Sequence, residues 1–226
     1  MTNRIPVIID TDMGVDDAYS VMLALSSSQL KVLGITTSYG NVDAEAATLN
    51  AIKILELLEK RVRVAKGASG PLFGKMRKYS NSRGAFIHGK DGLGNKGYSL
   101  SEPVHIEVET DAVDYMAELI KKEDTKVTIV SLGPLTNIAT LIISYPELRS
   151  RIDGIAMMGG SAYSGNTLPA GESNIVADPE AAQIVLQSGL RIVMCGLEAT
   201  EKAYFIKDDL EMFKAYLKAD KDNWLK

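Results

Sequence analysis

Short β-branched runs alternate with longer amphipathic segments along almost the whole chain, and this alternation constrains the fold more than any other feature. Ile5–Ile9, Val32–Thr37, Arg61–Ala65, Val127–Ser131, Gly154–Met157 and Arg191–Met194 read as strands. Asp16–Ser26, Asp43–Leu58, Asp111–Lys122, Leu135–Ser144 and Pro179–Ser188 read as helices; in the second, Ala47, Ala51, Leu55 and Leu58 line one face. Strand–helix–strand repeats of this kind close as right-handed crossovers. The predicted fold class is therefore α/β, an open and mostly parallel sheet with helices on both faces and a Rossmann-like core. Two polar, glycine-rich stretches, Gly67–Ser101 and Gly159–Gly171, interrupt the rhythm. Long loops of this kind are functional or disordered, and because each is flanked by the same alternating pattern neither reads as a linker, leaving one domain spanning 1–226.

In such sheets ligands bind beyond the carboxyl ends of the strands. The unusual polar clusters fall there: Asp10–Asp17, Ser38–Asn41, Ser131–Asn137 and Met158–Asn174. The first places four carboxylates, Asp10, Asp12, Asp16 and Asp17, within eight residues at a strand-to-helix turn. Carboxylates this close repel one another unless protons or a cation neutralise them. With no thiol or imidazole nearby in sequence, oxygen donors alone point to a hard ion, Ca2+ or Mg2+. Asp16 also suits an N-cap, but capping leaves Asp10 and Asp12 unexplained.

Composition narrows the class further. Lys plus Arg is 25 and Asp plus Glu is 29, a net charge of −4 that offers nothing to nucleic acid or an anionic membrane. No apolar run approaches a membrane span, and Ile5–Ile9 is too short for a secretory core, so a cytoplasmic location is expected. The single cysteine, Cys195, sits in the apolar run Ile192–Cys195 and reads as a small core residue.

Several motifs together resemble the inosine-uridine-preferring nucleoside hydrolases. They are Ile8–Ala18, Gly34–Asn41, Ile87–Gly94, Leu132–Ala139, Met157–Gly160 and Glu172–Asn174 leading to Asp178–Ala182, in the family's order. The resemblance implies hydrolysis of the N-glycosidic bond of ribonucleosides to ribose and free base. It implies a Ca2+ that binds the nucleophilic water and two ribose hydroxyls. By position in the motifs, Asp12 corresponds to the general base and a metal ligand, Asp17 to a second ligand and Asp10 to a supporting carboxylate. Leu132 corresponds to a metal ligand through its carbonyl. Asp16, Asn41, Asn166, Glu172 and Asn174 correspond to the ribose-binding set, Met158 packs on the sugar, and His88 borders the base pocket. The resemblance also implies a small-molecule nucleoside as partner and a homo-oligomer.

Other residues carry plainer readings. Asp178-Pro179 reads as an N-cap followed by proline at the first helical position. Gly159-Gly160 serves a close backbone approach, Asn137 either caps a helix or braces a loop, and His105 carries no functional signal. No Trp lies near His88, which disfavours a pocket sandwiching purines between tryptophans and leaves purine against pyrimidine open.

The family pattern continues beyond Lys226. Its late His-Asp pair, a further metal ligand and a candidate acid for the leaving base, has no counterpart in Glu201–Lys226, which reads as a Lys-rich helical tail. A homologue that binds nucleoside or ribose without turnover is therefore the alternative. A haloacid dehalogenase-type phosphatase also opens on Asp-x-Asp. That family, however, places Thr or Val two residues after its second Asp; Val15 comes one later, and Asp16-Asp17 have no role there.

Overall fold

The computed structural model of the chain describes residues 4–74, 79–97, 108–109 and 111–219. Its strands are β1 (Ile5–Thr11), β2 (Leu30–Thr37), β3 (Val64–Lys66), β4 (Val108–Glu109), β5 (Val127–Ser131), β6 (Ile152–Met158) and β7 (Ile192–Cys195). They form one seven-stranded sheet in the order β4-β3-β2-β1-β5-β6-β7, every pair parallel. The helices are α1 (Val15–Ser26), α2 (Ala44–Leu57), α3 (Tyr79–His88), α4 (Ala112–Lys122), α5 (Thr136–Ser144), α6 (Ser173–Ala177), α7 (Pro179–Leu186), α8 (Leu197–Thr200) and α9 (Lys207–Ala219). A 3-10 turn over Pro146–Arg151 leads into β6.

The chain winds outward from β1 through β4, returns to the middle at β5, and then winds out the other way. The strand order therefore reverses between β1 and β5, which opens a crevice at their carboxyl ends. Successive side chains of β1 point to opposite faces. Val7 and Ile9 enter one core with Ala18, Val21, Ala47 and Leu55 from α1 and α2. Ile8 enters the other, with Met116, Ile120, Ile138, Leu141 and Val185 from α4, α5 and α7. Both faces being covered, the strand reads as one apolar run.

Helix starts follow side-chain chemistry. Asp43 caps α2 by accepting from Ala46 N at 2.8 Å, and Asp111 caps α4 by accepting from Val113 N and Asp114 N. Leu141 is fully buried on α5. Leu141→Ala should cost about 2–5 kcal/mol of stability in a urea titration, by loss of transfer energy and cavity formation.

The structure departs from the sequence expectations at several points. The first strand continues to Thr11, because Asp10 and Thr11 pair with Thr36 and Thr37 of β2. The acidic cluster thus begins inside the sheet. β3 starts only at Val64, where Ile35–Thr37 supplies its partners. The loop Gly67–Ser101 contains α3, whose sequence lacks an apolar period. Cys195 is exposed, contrary to its core reading, because β7 is the sheet edge and its side chains from Val193 to Cys195 face solvent. The tail forms α9, its last residues lying outside those described, as does His105.

Candidate active site at the β1–β5 crevice

Three buried aspartates lie on the end of β1 and the turn that follows it. Asp10 and Asp12 are buried to 0% and 2% exposure, and Asp17, in the first turn of α1, to 5%. Asp10 Oδ1 accepts from Thr36 Oγ1 at 2.5 Å and Asn137 Nδ2 at 2.8 Å. Asp12 Oδ2 accepts from Asn41 N at 2.7 Å. Asp17 Oδ1 accepts from Thr11 Oγ1 at 2.9 Å; its Oδ2 accepts from Gly14 N at 2.7 Å and Asn41 Nδ2 at 3.1 Å. Gly14, rather than Asp16, is the N-cap of α1, and Asp16 stands exposed one residue before Asp17. Between the aspartates, fully buried Met13 holds φ +42°. A non-glycine residue in that region stores about 1–3 kcal/mol, held here by the surrounding hydrogen bonds.

Two carboxylate oxygens, Asp10 Oδ2 and Asp12 Oδ1, are buried with no hydrogen-bond partner. Burial pushes the Asp10 carboxyl up to about 6 against the opposing hydrogen bonds from Thr36 and Asn137. It raises Asp12 well above the usual 3.8, with the Asp17 charge adding to it. Asp17 is pushed up to about 6, by burial first and then by Asp16. A buried anion without partners is costly, so the turn favours protons or a cation at these oxygens.

Across the crevice, Asn174 Nδ2 donates to Leu132 O at 2.8 Å and Met158 O at 3.1 Å, bringing the ends of β5 and β6 together. Leu132 N in turn donates to Asp10 O at 2.8 Å. Glu172 caps α6, accepting from Asn174 N and Ile175 N, and its Oε2 also accepts from Gly160 N at 3.0 Å. Gly160 holds φ +76°, a conformation that favours glycine, and a Cβ there would lie 3.0 Å from Met194 Sδ. His88, at the end of α3, accepts from Val15 N through Nδ1 at 3.2 Å and lies 3.6 Å from Asp16 Oδ1. Burial lowers its pKa, while Asp16 opposes that shift. Asn166 stands apart: it is exposed on the Gly159–Gly171 loop and reaches the others only by accepting from Ser173 N at 2.9 Å.

Asn41 thus joins Asp12 to Asp17, Asn174 joins Leu132, Met158 and Glu172 into a second group to which Asp10 is tied through its carbonyl and Leu132 N, and His88 stands beside Asp16. Among the described residues, no three His, Cys, Asp or Glu side chains stand as a ready metal cluster. The donor chemistry nonetheless fits a hard cation, because the two orphaned atoms are carboxylate oxygens and no nitrogen or sulfur ligand stands among them.

Sequence reasoning missed Thr36 and Thr11, whose hydroxyls hold Asp10 and Asp17. A threonine ending a buried strand is the only signal for either. Asn137 resolves as a brace: its Oδ1 accepts from Ala68 N, while its Nδ2 donates to Thr37 O and Asp10. Asp178 is an N-cap as expected, accepting from Ala181 N, and is also fully buried against Leu72 N and Thr136 Oγ1.

Fold and site together define a doubly wound α/β protein whose crevice gathers carboxylates and amides at its topological switch point. Residues 7–225 match the family described as inosine-uridine preferring nucleoside hydrolase, and the chain belongs to that family. A pyrimidine-specific ribonucleoside hydrolase of Salmonella newport is 42% identical over 212 residues, 93% of this chain and 66% of that protein. The Shewanella sp. (strain MR-7) protein of the same description is 43% identical over 93% of this chain and 64% of its own. A purine-preferring ribonucleoside hydrolase from Gardnerella vaginalis superposes with a TM-score of 0.87 at 33% identity, covering 93% of this chain and 66% of that one. A plant nucleoside hydrolase gives 0.84 at 38% identity, with 92% and 65% covered. The chain therefore spans just under two thirds of the length of these relatives. Among the described residues, no helix is long and apolar enough to cross a membrane.

Proposed function

We propose that the chain hydrolyses the N-glycosidic bond of ribonucleosides to ribose and free base. The observation that carries this reading is the pair of buried, unpartnered carboxylate oxygens on Asp10 and Asp12, at the switch point of a nucleoside hydrolase fold. Bond cleavage builds positive charge on the ribosyl ring, and the carboxylates around the crevice stabilise it. Asp12 acts as general base, taking the proton from the attacking water through Oδ1. Asp16, Asn41, Asn166, Glu172 and Asn174 bind the ribose hydroxyls, whose directional hydrogen bonds discriminate against deoxyribose. Met158 packs against the sugar and His88 borders the base. Asp12, Asp17 and the Leu132 carbonyl, supported by Asp10, would hold a Ca2+. Such an ion supplies positive charge that acidifies a neighbouring water and binds ribose oxygens.

The pH dependence of stability follows from the aspartates. The folded chain holds their protons more tightly than the unfolded chain, so metal-free stability falls as pH rises from 3.8 to about 6. A bound cation offsets that loss only where the carboxylates are ionised. Ca2+ at a hundred times its Kd should therefore add about 2.7 kcal/mol at pH 7.5 and far less at pH 4.5, where protons compete. Thermal melts with Ca2+ and with EDTA at both pH values check this. Equal shifts at the two pH values would count against these carboxylates as the site.

The high identity to pyrimidine-specific relatives makes uridine the first substrate to test, with inosine second. Chromatography of the reaction should show free uracil and equimolar ribose. The alternative, nucleoside or ribose binding without turnover, is separated from this reading by calorimetry alongside the same chromatography. It predicts a calorimetric signal with ribose and no base released.

A further inference from the structure

The loop following α3 is held by a bridge that the chemistry above does not use. Asp91 is nearly buried at the loop's centre and gathers three backbone donors. Its Oδ1 accepts from Leu93 N at 2.9 Å and Asn95 N at 2.7 Å, and its Oδ2 from Gly97 N at 2.8 Å. Charge-assisted bonds of this kind fix a loop in one conformation. Gly94 N closes the loop onto His88 O at 2.6 Å, so its order is transmitted to His88.

Asn50 reaches this loop from α2. It is 4% exposed, and its Nδ2 donates to Asp91 O at 2.7 Å and, more weakly, to Met13 O at 3.4 Å. Met13 lies in the acidic turn, between Asp12 and Asp16. One side-chain amide therefore ties the His88 loop to the carboxylates. One helical turn on, buried Lys53 donates to Gly97 O at 3.1 Å, anchoring the far end of the loop. Gly92, at φ +80°, allows the close approach; a Cβ there would lie 2.9 Å from Asn50 Nδ2.

The near end of the loop sets the chemistry of His88. Its Nδ1 accepts the Val15 N–H at 3.2 Å and stands 3.6 Å from the exposed Asp16 Oδ1, beyond hydrogen-bond distance, so the neutral ring bears its proton on Nε2. A backbone donor at the start of α1 thereby selects the tautomer, provided the loop keeps the ring in place.

We propose that Asn50 is a positioning residue: with Asp91, it holds the 88–97 loop against the acidic turn so that His88 is fixed as an Nε2–H donor. A ligand group facing that nitrogen must then be an acceptor, such as a carbonyl oxygen. The kinetic consequence rests on the hydrolase reading; the tautomer does not.

The test is long-range 1H–15N correlation of the histidine rings in the ligand-free chain at pH 7.5. The sequence has two histidines, so a His105→Gln variant assigns both. Wild type is expected to show hydrogen on Nε2 of His88 alone. Asn50→Ala and Asp91→Asn should both move the two ring nitrogens toward each other as the tautomers mix, and raise KM for uridine by about tenfold with a smaller change in kcat. If Asn50→Ala does not fold, Asp91→Asn, which keeps one accepting oxygen, decides the matter. A fixed Nε2–H tautomer in the folded variants overturns the proposal. Absence of turnover in wild type, with the tautomer still responding to the variants, would instead reject the hydrolase reading and leave the positioning role intact.

Discussion

Asp12→Asn is expected to leave the chain folded while ribose release falls by at least about a thousandfold, the upper range for removal of a general base. An amide reproduces the shape of the side chain, and its oxygen can still accept from Asn41 N, as Asp12 Oδ2 does. What it cannot do is accept a proton, and it presents one fewer anionic oxygen to a cation. The substitution also removes a buried carboxyl whose ionisation is opposed by burial and by Asp17. Metal-free thermal stability at pH 7.5 should therefore not fall, and should rise if anything. Initial rates of reducing-sugar release, paired with melts of both proteins, separate the two effects. A stability loss matching the activity loss would mean that Asp12 serves the fold instead.

Gly40→Ala should damage the same residue from outside the acidic turn. A Cβ built at Gly40 would lie 2.0 Å from Asp12 Oδ2, 2.7 Å from its Cγ and 2.8 Å from its Cβ. Neither partner can yield cheaply. Gly40 N donates to Val42 O at 2.9 Å, which pins the turn, and Asp12 is enclosed with Gly133 on its other side. Asp12 must move, and a displacement on the order of 1 Å at a reacting group costs about a hundredfold in rate. Overpacking adds a stability cost of about 1–3 kcal/mol. Gly70→Ala is the matched control, because a Cβ there meets nothing within 4 Å. Rates and urea midpoints for the two variants should diverge sharply; similar behaviour would mean that the close approach at Gly40 is not what holds Asp12.

The parts of this arrangement legible in the sequence are those with short-range signals. The Ile5–Ile9 run reads as a buried strand, and Val7, Ile8 and Ile9 enter the two cores while Ile5 stays exposed. The turn between Asp10 and Asp17 announced itself through charge density. Strand alternation predicted the sheet and hence the crevice at which the polar clusters meet. The rest depends on contacts distant in sequence. Thr36 and Asn137 hold Asp10 from 26 and 127 residues away, and no local pattern marks either as a carboxylate partner. Asn50 carries no local signal either, because its partners Asp91 and Met13 lie 41 and 37 residues away. Cys195 was misread because its apolar neighbours suggested burial. Burial of β7 needs something across the sheet edge, and among the described residues its outer side chains face solvent. Asp16 was offered as a cap, yet the backbone enters α1 through Gly14, where Asp17 takes the cap N–H.

The central claim of the proposed function is that a water deprotonated by Asp12 displaces the base at the ribosyl carbon, and attack from the side opposite the base inverts that centre. Time-resolved proton NMR of uridine incubated with the chain and Ca2+ tests it most directly. The account predicts uracil and ribose appearing together, with the α-anomer of ribose forming first and then equilibrating, and no product after EDTA treatment. Unchanged uridine in the presence of Ca2+, or β-ribose as the first product, would contradict it.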